Sequence, residues 1–214
     1  MQDPADFIRA NTKLLAVPLA PEIRLHLAEE SLPLWQKTEE ELGEINVAPP
    51  WWAFAWAGGQ ALARHVLDNA GLVAGRRALD LGAGSGLAGI AAMKAGAAHV
   101  LAADTDPFAI AAIALNAAAN SVAIAATAAD LLAASPPPAD VVLVGDLFYE
   151  RALAERVLAF IEAAARAGAH VLVGDPRRSY FPAARFRRIA EYAVPVTRDL
   201  EDVEIKHAAV WQLA

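Results

Sequence analysis

From Arg77 onward, short, near-continuous apolar runs alternate with longer stretches whose apolar residues recur every three to four positions. The runs predict strands over 77–81, 98–103, 122–127, 140–145 and 169–174, and the stretches between them predict helices over 86–95, 107–119 and 150–167. Strands that are apolar on both faces and separated by helices belong to a parallel sheet covered on both sides. The rhythm then changes. A short helix near 182–190, a strand near 192–199, an acidic turn at Glu201-Asp202 and a last strand over 203–213 predict an antiparallel hairpin at the sheet edge.

Ahead of Arg77 the pattern is helical. Asp6 is placed to cap a helix over Phe7–Leu15, and Pro21 to open one over Glu22–Glu30 at a first-turn position. Ser31-Leu32-Pro33 breaks the pattern, a charged stretch from Gln36 to Leu42 ends at Gly43, and Pro49-Pro50 restarts the chain in an extended conformation. Trp51, Trp52, Phe54 and Trp56 then fall within six residues, just before Gly58-Gly59 and a helix over 60–69. Such a cluster is either core or a binding wall, and the adjoining glycines, which let backbone or ligand approach closely, turn Trp56 toward a ligand. The chain thus divides into an N-terminal helical extension, 1–50, and a domain over 51–214. The fold class is α/β: a Rossmann-like, doubly wound, mostly parallel seven-stranded sheet with an antiparallel C-terminal hairpin and an N-terminal helical extension.

With 57% hydrophobic residues among 214, one full core is within reach. Cysteine is absent, so disulfides and Cys-ligated zinc are excluded and no metal site is expected. The start, Met1-Gln2-Asp3-Pro4, lacks the basic n-region of a secretory signal, and a cytoplasmic location is expected. The run from Ala109 to Ala129 has the length of a membrane span but is mostly alanine, broken by Asn116, Asn120, Ser121 and Thr127, so a buried helix followed by a short strand is expected and no membrane partner. A net charge of −7 without a dense basic block argues against DNA as partner. The one basic cluster, Arg177, Arg178, Arg185, Arg187 and Arg188, reads as a solvated helix face more readily than as a dock for an acidic partner.

The candidate chemistry begins at Ala78-Leu79-Asp80-Leu81-Gly82-Ala83-Gly84-Ser85-Gly86-Leu87-Ala88-Gly89, a strand running into a glycine-rich turn. Gly84, Gly86 and Gly89 spell G-x-G-x-x-G, while Gly82, Gly84 and Gly86 spell G-x-G-x-G. In a dinucleotide loop, backbone N–H groups and a helix N-terminus meet a pyrophosphate, which a carboxylate such as Asp80 repels. Asp80 suits a cofactor with cationic groups, and S-adenosylmethionine has an ammonium and a sulfonium. Asp104 follows the next strand, 18 residues after Gly86, close to the spacing of an acid that binds ribose hydroxyls, while Asp106-Pro107 reads as a helix cap. Asp130, after the third strand, reads equally as an adenine contact and as a loop cap. Asp146-Leu147-Phe148-Tyr149 follows the fourth strand at the carboxyl edge, where open α/β sheets bind ligands; there Asp146 is placed to hold an amine while Phe148 and Tyr149 shape an apolar slot, the alternative being an N-cap followed by two core aromatics. Asp175-Pro176-Arg177-Arg178-Ser179-Tyr180 follows the fifth strand at the same edge and either lines the substrate mouth or, with its Asp before Pro, is a turn.

With these residues in hand, the chain resembles the class I S-adenosylmethionine-dependent methyltransferases, and within them the electron-transfer flavoprotein β-subunit lysine methyltransferase group and its bacterial relatives. The resemblance covers nearly the whole chain, through Pro21-Glu22-Ile23-Arg24-Leu25, Pro33-Leu34-Trp35, Trp52 to Gln60, Asp146-Leu147-Phe148-Tyr149 and Gly174-Asp175-Pro176. It implies S-adenosyl-L-methionine as cofactor. Trp56, Asp80, Gly82, Ala83, Gly84 and Gly86 are then cofactor contacts, together with Asp104, Thr105, Asp130, Leu131 and Gly145. Asp146 and Tyr149 become catalytic, with Phe148 and Asp175 on the substrate side. Two positions depart from the group: Leu131 stands where many relatives place a tryptophan, and Arg177 stands where a glycine is expected.

The activity expected is methyl transfer to a lysine amine of a protein such as electron-transfer flavoprotein β subunit or a ribosomal protein. The alternatives are a small-molecule, nicotinamide-like N-methyltransferase, an NAD-dependent oxidoreductase resting on the literal G-x-G-x-x-G, and a catalytically silent binding module. The D-x-x-Y spacing also resembles the N/D-P-P-Y element of amide and base amino-methyltransferases, with Leu147-Phe148 in place of the prolines.

Overall fold

A computed structural model describes residues 3–28, 50–196 and 204–214. Its centre is a seven-stranded sheet of β3 (Arg77–Leu81), β4 (His99–Ala103), β5 (Ala125–Thr127), β6 (Val141–Gly145), β7 (His170–Asp175), β8 (Phe186–Pro195) and β9 (Ile205–Leu213), in the order β5-β4-β3-β6-β7-β9-β8. The first five pair in parallel, and β9 enters antiparallel between β7 and β8. The order reverses direction between β3 and β6, which opens a crevice at their carboxyl ends.

Period-2 side-chain alternation splits each central strand between two cores. Leu143 and Leu172 face α2 (Ala57–Asp68) and α3 (Leu87–Lys94), whereas Val142, Val144, Val171 and Val173 face α5 (Arg151–Arg166) through Val157, Phe160 and Ile161. A third cluster sets Trp52, Phe54 and Ile8 of α1 (Pro4–Asn11) against Ala109 and Ala112 of α4 (Pro107–Ala119). Among the described residues no helix is long and apolar enough to cross a membrane.

The N-terminal extension differs from the helices expected of it. α1 is capped by Asp3, not Asp6, and ends at Asn11; the following residues form a hairpin of β1 (Lys13–Val17) and β2 (Ala20–Leu27). Ile23, Leu25 and Leu27 are buried and alternate with outward-facing Arg24 and His26, so a period of two overrides the helix-start signal of Pro21. The outer edge of β2 is satisfied by α4. Asn116 Oδ1 accepts the His26 N–H at 2.7 Å, Asn120 Oδ1 accepts the Arg24 N–H at 3.0 Å, and Asn120 Nδ2 donates to the Arg24 carbonyl at 2.6 Å. The asparagines that interrupt the alanine run are thus the hydrogen-bonding rail of that helix.

Near the C-terminus the short helix expected over 182–190 shrinks to a 3-10 turn at Ala183–Arg185, and β8 starts at Phe186. The basic cluster is therefore not one helix face: Arg185 pairs with Glu162, Arg187 bonds Gln212 and Arg188 pairs with Glu191. The charged stretch over 36–42, the Pro33-Leu34-Trp35 motif and the Glu201-Asp202 turn lie outside the described residues.

Candidate active site at the sheet switch point

The crevice between β3 and β6 holds a cavity of about 570 Å³, within the range of small-molecule sites. Its floor is the loop after β3. Gly82, Gly84 and Gly86 all take positive φ, at 61°, 51° and 80°, a conformation that L side chains rarely adopt. A Cβ on Gly82 would also meet the Leu147 side chain at 2.6 Å. Gly89, by contrast, lies inside α3 and gives its N–H to Asp80 Oδ2 at 2.8 Å. The turn is therefore built by G-x-G-x-G.

Two carboxylates brace this loop. Asp104 Oδ2 accepts the Gly84 N–H at 2.8 Å and Oδ1 accepts the Asp106 N–H at 3.0 Å, leaving lone pairs on both oxygens for further donors. Asp106 itself caps α4 by accepting the Phe108 N–H at 2.8 Å, as its Pro107 neighbour predicts. Asp80 is almost completely buried; desolvation foremost, and the negative Asp104, push its carboxyl up to about 7 against the pull of the Gly89 N–H.

Opposite the loop, the N-terminus of α2 lies directly on the ends of β6 and β7. A Cβ on Gly58 would sit 2.2 Å from the Gly174 carbonyl oxygen, and one on Gly145 would sit 3.2 Å from Gly59 Cα. The Gly58-Gly59 pair thus serves backbone approach, and it aims the Gly59 N–H at Asp146 Oδ2, 2.7 Å away. Asp146 holds φ at 58°, the left-handed region that Asp and Asn tolerate best among residues with side chains. Its Oδ1 takes Arg178 Nε at 2.9 Å and Nη2 at 2.8 Å. The expectation that Asp146 presents its carboxylate to an incoming amine meets oxygens already engaged by the protein's own groups.

The mouth is aromatic. Trp51 lies between Trp56, 5.6 Å away, and Tyr149, 5.7 Å away, and both Trp51 and Tyr149 are exposed. The Trp56 indole donates to the Trp51 carbonyl at 3.0 Å, and the Arg178 guanidinium carbon stands 5.4 Å from the Trp56 ring centre. Burial, with help from the negative Glu150 and Asp104, raises the Tyr149 phenol above its ordinary value, so it is neutral at physiological pH.

The cavity wall gathers Trp56, Asp80, Gly82, Ala83, Gly84, Asp104, Thr105, Asp130, Leu131, Gly145, Asp146 and Tyr149. Three expected site residues lie behind it. Gly86 caps α3 and packs on Ile113. Phe148 is fully buried in the α5-side core, edge-on to Phe181 and Phe186, because the residue after Leu147 points through the sheet edge and not out of it. Asp175 is fully buried beneath the Arg178 loop, where its Oδ1 accepts the Arg178 N–H at 2.7 Å. Asp130 caps the 3-10 turn Leu131–Ala133 and pairs with Arg156 at 2.6 Å, so its loop-cap reading is realised within the wall. Arg178, expected either on a solvated helix face or at the substrate mouth, lines the cavity together with Arg156. Its neighbour Arg177 holds φ at 66°, which accounts for the glycine expected there.

Burial and the charge of Asp146 push the Asp175 carboxyl from its ordinary 3.8 up to about 7. A raised folded-state value means stability fully present at pH below about 4 and lost as pH climbs toward 7. Asp175→Asn does not titrate. The stability difference between the variant and the natural protein is therefore expected to move in the variant's favour between pH 4 and 8, by up to ~4 kcal/mol for an interval of that size. Urea denaturation across that range measures it; a pH-independent difference would show Asp175 to be ionised throughout.

S-adenosylmethionine fits the residues present. The glycine cradle admits a ligand where side chains would intrude, Asp80 and Asp104 supply acid at either end of it, and Trp52, Phe54 and Leu131 supply apolar wall.

The family described as ribosomal protein L11 methyltransferase (PrmA) matches residues 60–167. The electron transfer flavoprotein beta subunit lysine methyltransferase of Xenopus laevis is 37% identical over 214 residues, 97% of this chain and 86% of that protein. The solved ribosomal protein L11 methylase of Lactobacillus delbrueckii subsp. bulgaricus superposes with a TM-score of 0.53 at 23% identity, over 75% of this chain and 81% of that one. Magnesium protoporphyrin IX methyltransferase from Synechocystis, solved with bound S-adenosylmethionine, gives 0.54 at 16% identity, over 73% and 78%.

Proposed function

We propose that the chain, which belongs to the electron transfer flavoprotein β-subunit lysine methyltransferase family of class I S-adenosylmethionine-dependent methyltransferases, methylates a lysine of a protein, with electron transfer flavoprotein β subunit as the first candidate substrate. The reading rests on a similarity that runs the length of the chain, and the cavity supports it by carrying an exposed aromatic pair, Trp51 and Tyr149, on its wall.

In this reading Asp104 takes the ribose hydroxyls, the Gly82–Gly86 turn and Asp80 take the methionine part, and Asp130 and Leu131 flank the adenine. S-adenosylmethionine supplies there a sulfonium methyl whose transfer to an amine leaves a neutral thioether. The protein's own part is positioning: Trp56 and Tyr149 confine the acceptor's methylene chain, and Asp146 fixes the α2 N-terminus and Arg178 around it.

Incubation with isotopically labelled S-adenosylmethionine and purified electron transfer flavoprotein β subunit is expected to label lysine in that protein. Ribosomal protein L11 serves as the comparison, because a Deinococcus radiodurans protein named ribosomal protein L11 methyltransferase also matches, over 36% of this chain. Label confined to L11 would replace the substrate, and label found only in a small-molecule extract would overturn the protein-substrate reading.

A further inference from the structure

The acceptor side of the cavity already contains a cation. Arg178 gives Asp146 two hydrogen bonds through Nε and Nη2 while its guanidinium stands over the Trp56 face. The remaining Asp146 oxygen takes the Gly59 N–H. A carboxylate beside an indole face is the chemistry that captures an ammonium ion. Here the protein fills that place with its own guanidinium, which cannot be deprotonated. A free lysine amine, with a pKa of about 10.4, is protonated at neutral pH and cannot attack a methyl group until it loses that proton.

We propose that Arg178 is the charge-setting residue of the acceptor pocket: by occupying the Asp146 carboxylate and the Trp56 face, it fills the place that an acceptor ammonium would take, so that the amine is admitted in its neutral form. Arg178 is a positioning residue in this scheme, acting on the amine by engaging the carboxylate that would otherwise hold its charged form. The inference rests on the amine-acceptor reading above.

The other charged groups around the pocket leave this assignment standing. Asp80, Asp104 and Asp106 gather at the glycine loop, and Asp130 is paired with Arg156. Asp175 lies under the Arg178 backbone and Glu150 at the outer start of α5. Asp80 and Asp175, each pushed up to about 7, titrate at the lower end of the range and not over its upper part, where the amine's tenfold rise per pH unit continues, and Tyr149 titrates above its ordinary value.

The test is binding of n-butylamine, followed by tryptophan fluorescence from pH 7.5 to 10 in the presence of S-adenosylhomocysteine. The natural protein is expected to bind about tenfold more tightly for each pH unit, following the neutral amine. R178K is expected to keep that slope. R178Q takes the guanidinium off Asp146 Oδ1, where an ammonium can then bond, so it is expected to bind at least tenfold more tightly than the natural protein at pH 7.5 and to lose the rise with pH. A purely structural role for Arg178 would weaken binding equally at every pH. The proposal is overturned if the natural protein binds independently of pH or not at all, or if R178Q runs parallel to it. Should R178Q fail to fold, the slopes of the natural protein and R178K decide the matter. Because no methyl transfer is measured, a silent protein-labelling assay rejects the protein-lysine substrate separately from this result.

Discussion

Gly174→Ala is expected to destabilise the protein by about 3–5 kcal/mol and to lower its melting temperature by roughly 10 °C. The added methyl would sit 2.1 Å from the Gly58 carbonyl oxygen and 2.7 Å from Leu62 Cβ, so neither contact is relieved by rotating a flexible side chain. The backbone of Gly174 lies in β7, paired in parallel with Gly145 and antiparallel with Val210, and is held on both sides. Helix α2 must therefore lift from the sheet. That displacement withdraws the Gly59 N–H from Asp146 and loosens the cavity wall, so loss of stability and loss of cofactor binding are expected together. Gly59→Ala is the control on the helix side of the same contact: its Cβ would meet nothing closer than 3.8 Å, and its stability is expected to stay within about 1 kcal/mol of the natural protein. Thermal melts with and without S-adenosylhomocysteine measure both. A Gly174→Ala protein as stable as the Gly59→Ala control would mean that α2 does not need this close approach.

Legibility in the sequence followed the distance over which each signal acts. Strands β3, β4, β6 and β7 start and stop within a residue of the apolar runs that predict them, since burial on both faces leaves an unbroken pattern. The β1–β2 hairpin was hidden because Pro21-Glu22 has the chemistry of a helix start, while the Ile23, Leu25, Leu27 alternation runs for too few residues to outweigh it. Asp80, Asp104 and Asp146 were legible because each lies at or beside the carboxyl end of a strand. Arg178 was legible as part of the loop at the same edge, but its pairing with Asp146, 32 residues away, was not, because only sheet order brings the two together. A signal was nevertheless present: Gly145-Asp146 and Gly174-Asp175 end adjacent parallel strands in register, so the loops that follow them must face each other. The position of Phe148 at the carboxyl edge fits both a slot and a core aromatic, and the core wins through Phe181 and Phe186, which no local pattern connects to it.

Asp146 is where fold and chemistry meet, and its two replacements are expected to fail in different ways. Asp146→Ala removes the acceptor of the Gly59 N–H and leaves the Arg178 guanidinium, itself only 19% exposed, without its carboxylate. Breaking such a pair from one side costs about 3–5 kcal/mol when fully buried, and the residual exposure of Arg178 brings the expected loss to ~2–3 kcal/mol. Alanine at φ 58° adds strain on the order of 1 kcal/mol. Asp146→Asn keeps the left-handed backbone and an oxygen for Gly59, so its stability is expected to lie nearer the natural protein, while the charge that holds Arg178 is gone. Methyl transfer is expected to fall on the order of 10²-fold in both variants, as mispositioning by about an ångström does. Chemical denaturation and single-turnover rates read the two effects apart, and the double variant D146N/R178Q is expected to be less impaired than the sum of its parts, because the second change removes the cation whose pairing with Asp146 the first has already broken. Natural rates in D146N would mean that the carboxylate charge does nothing in the reaction, and strictly additive losses in the double variant would mean that Asp146 and Arg178 do not act as a pair.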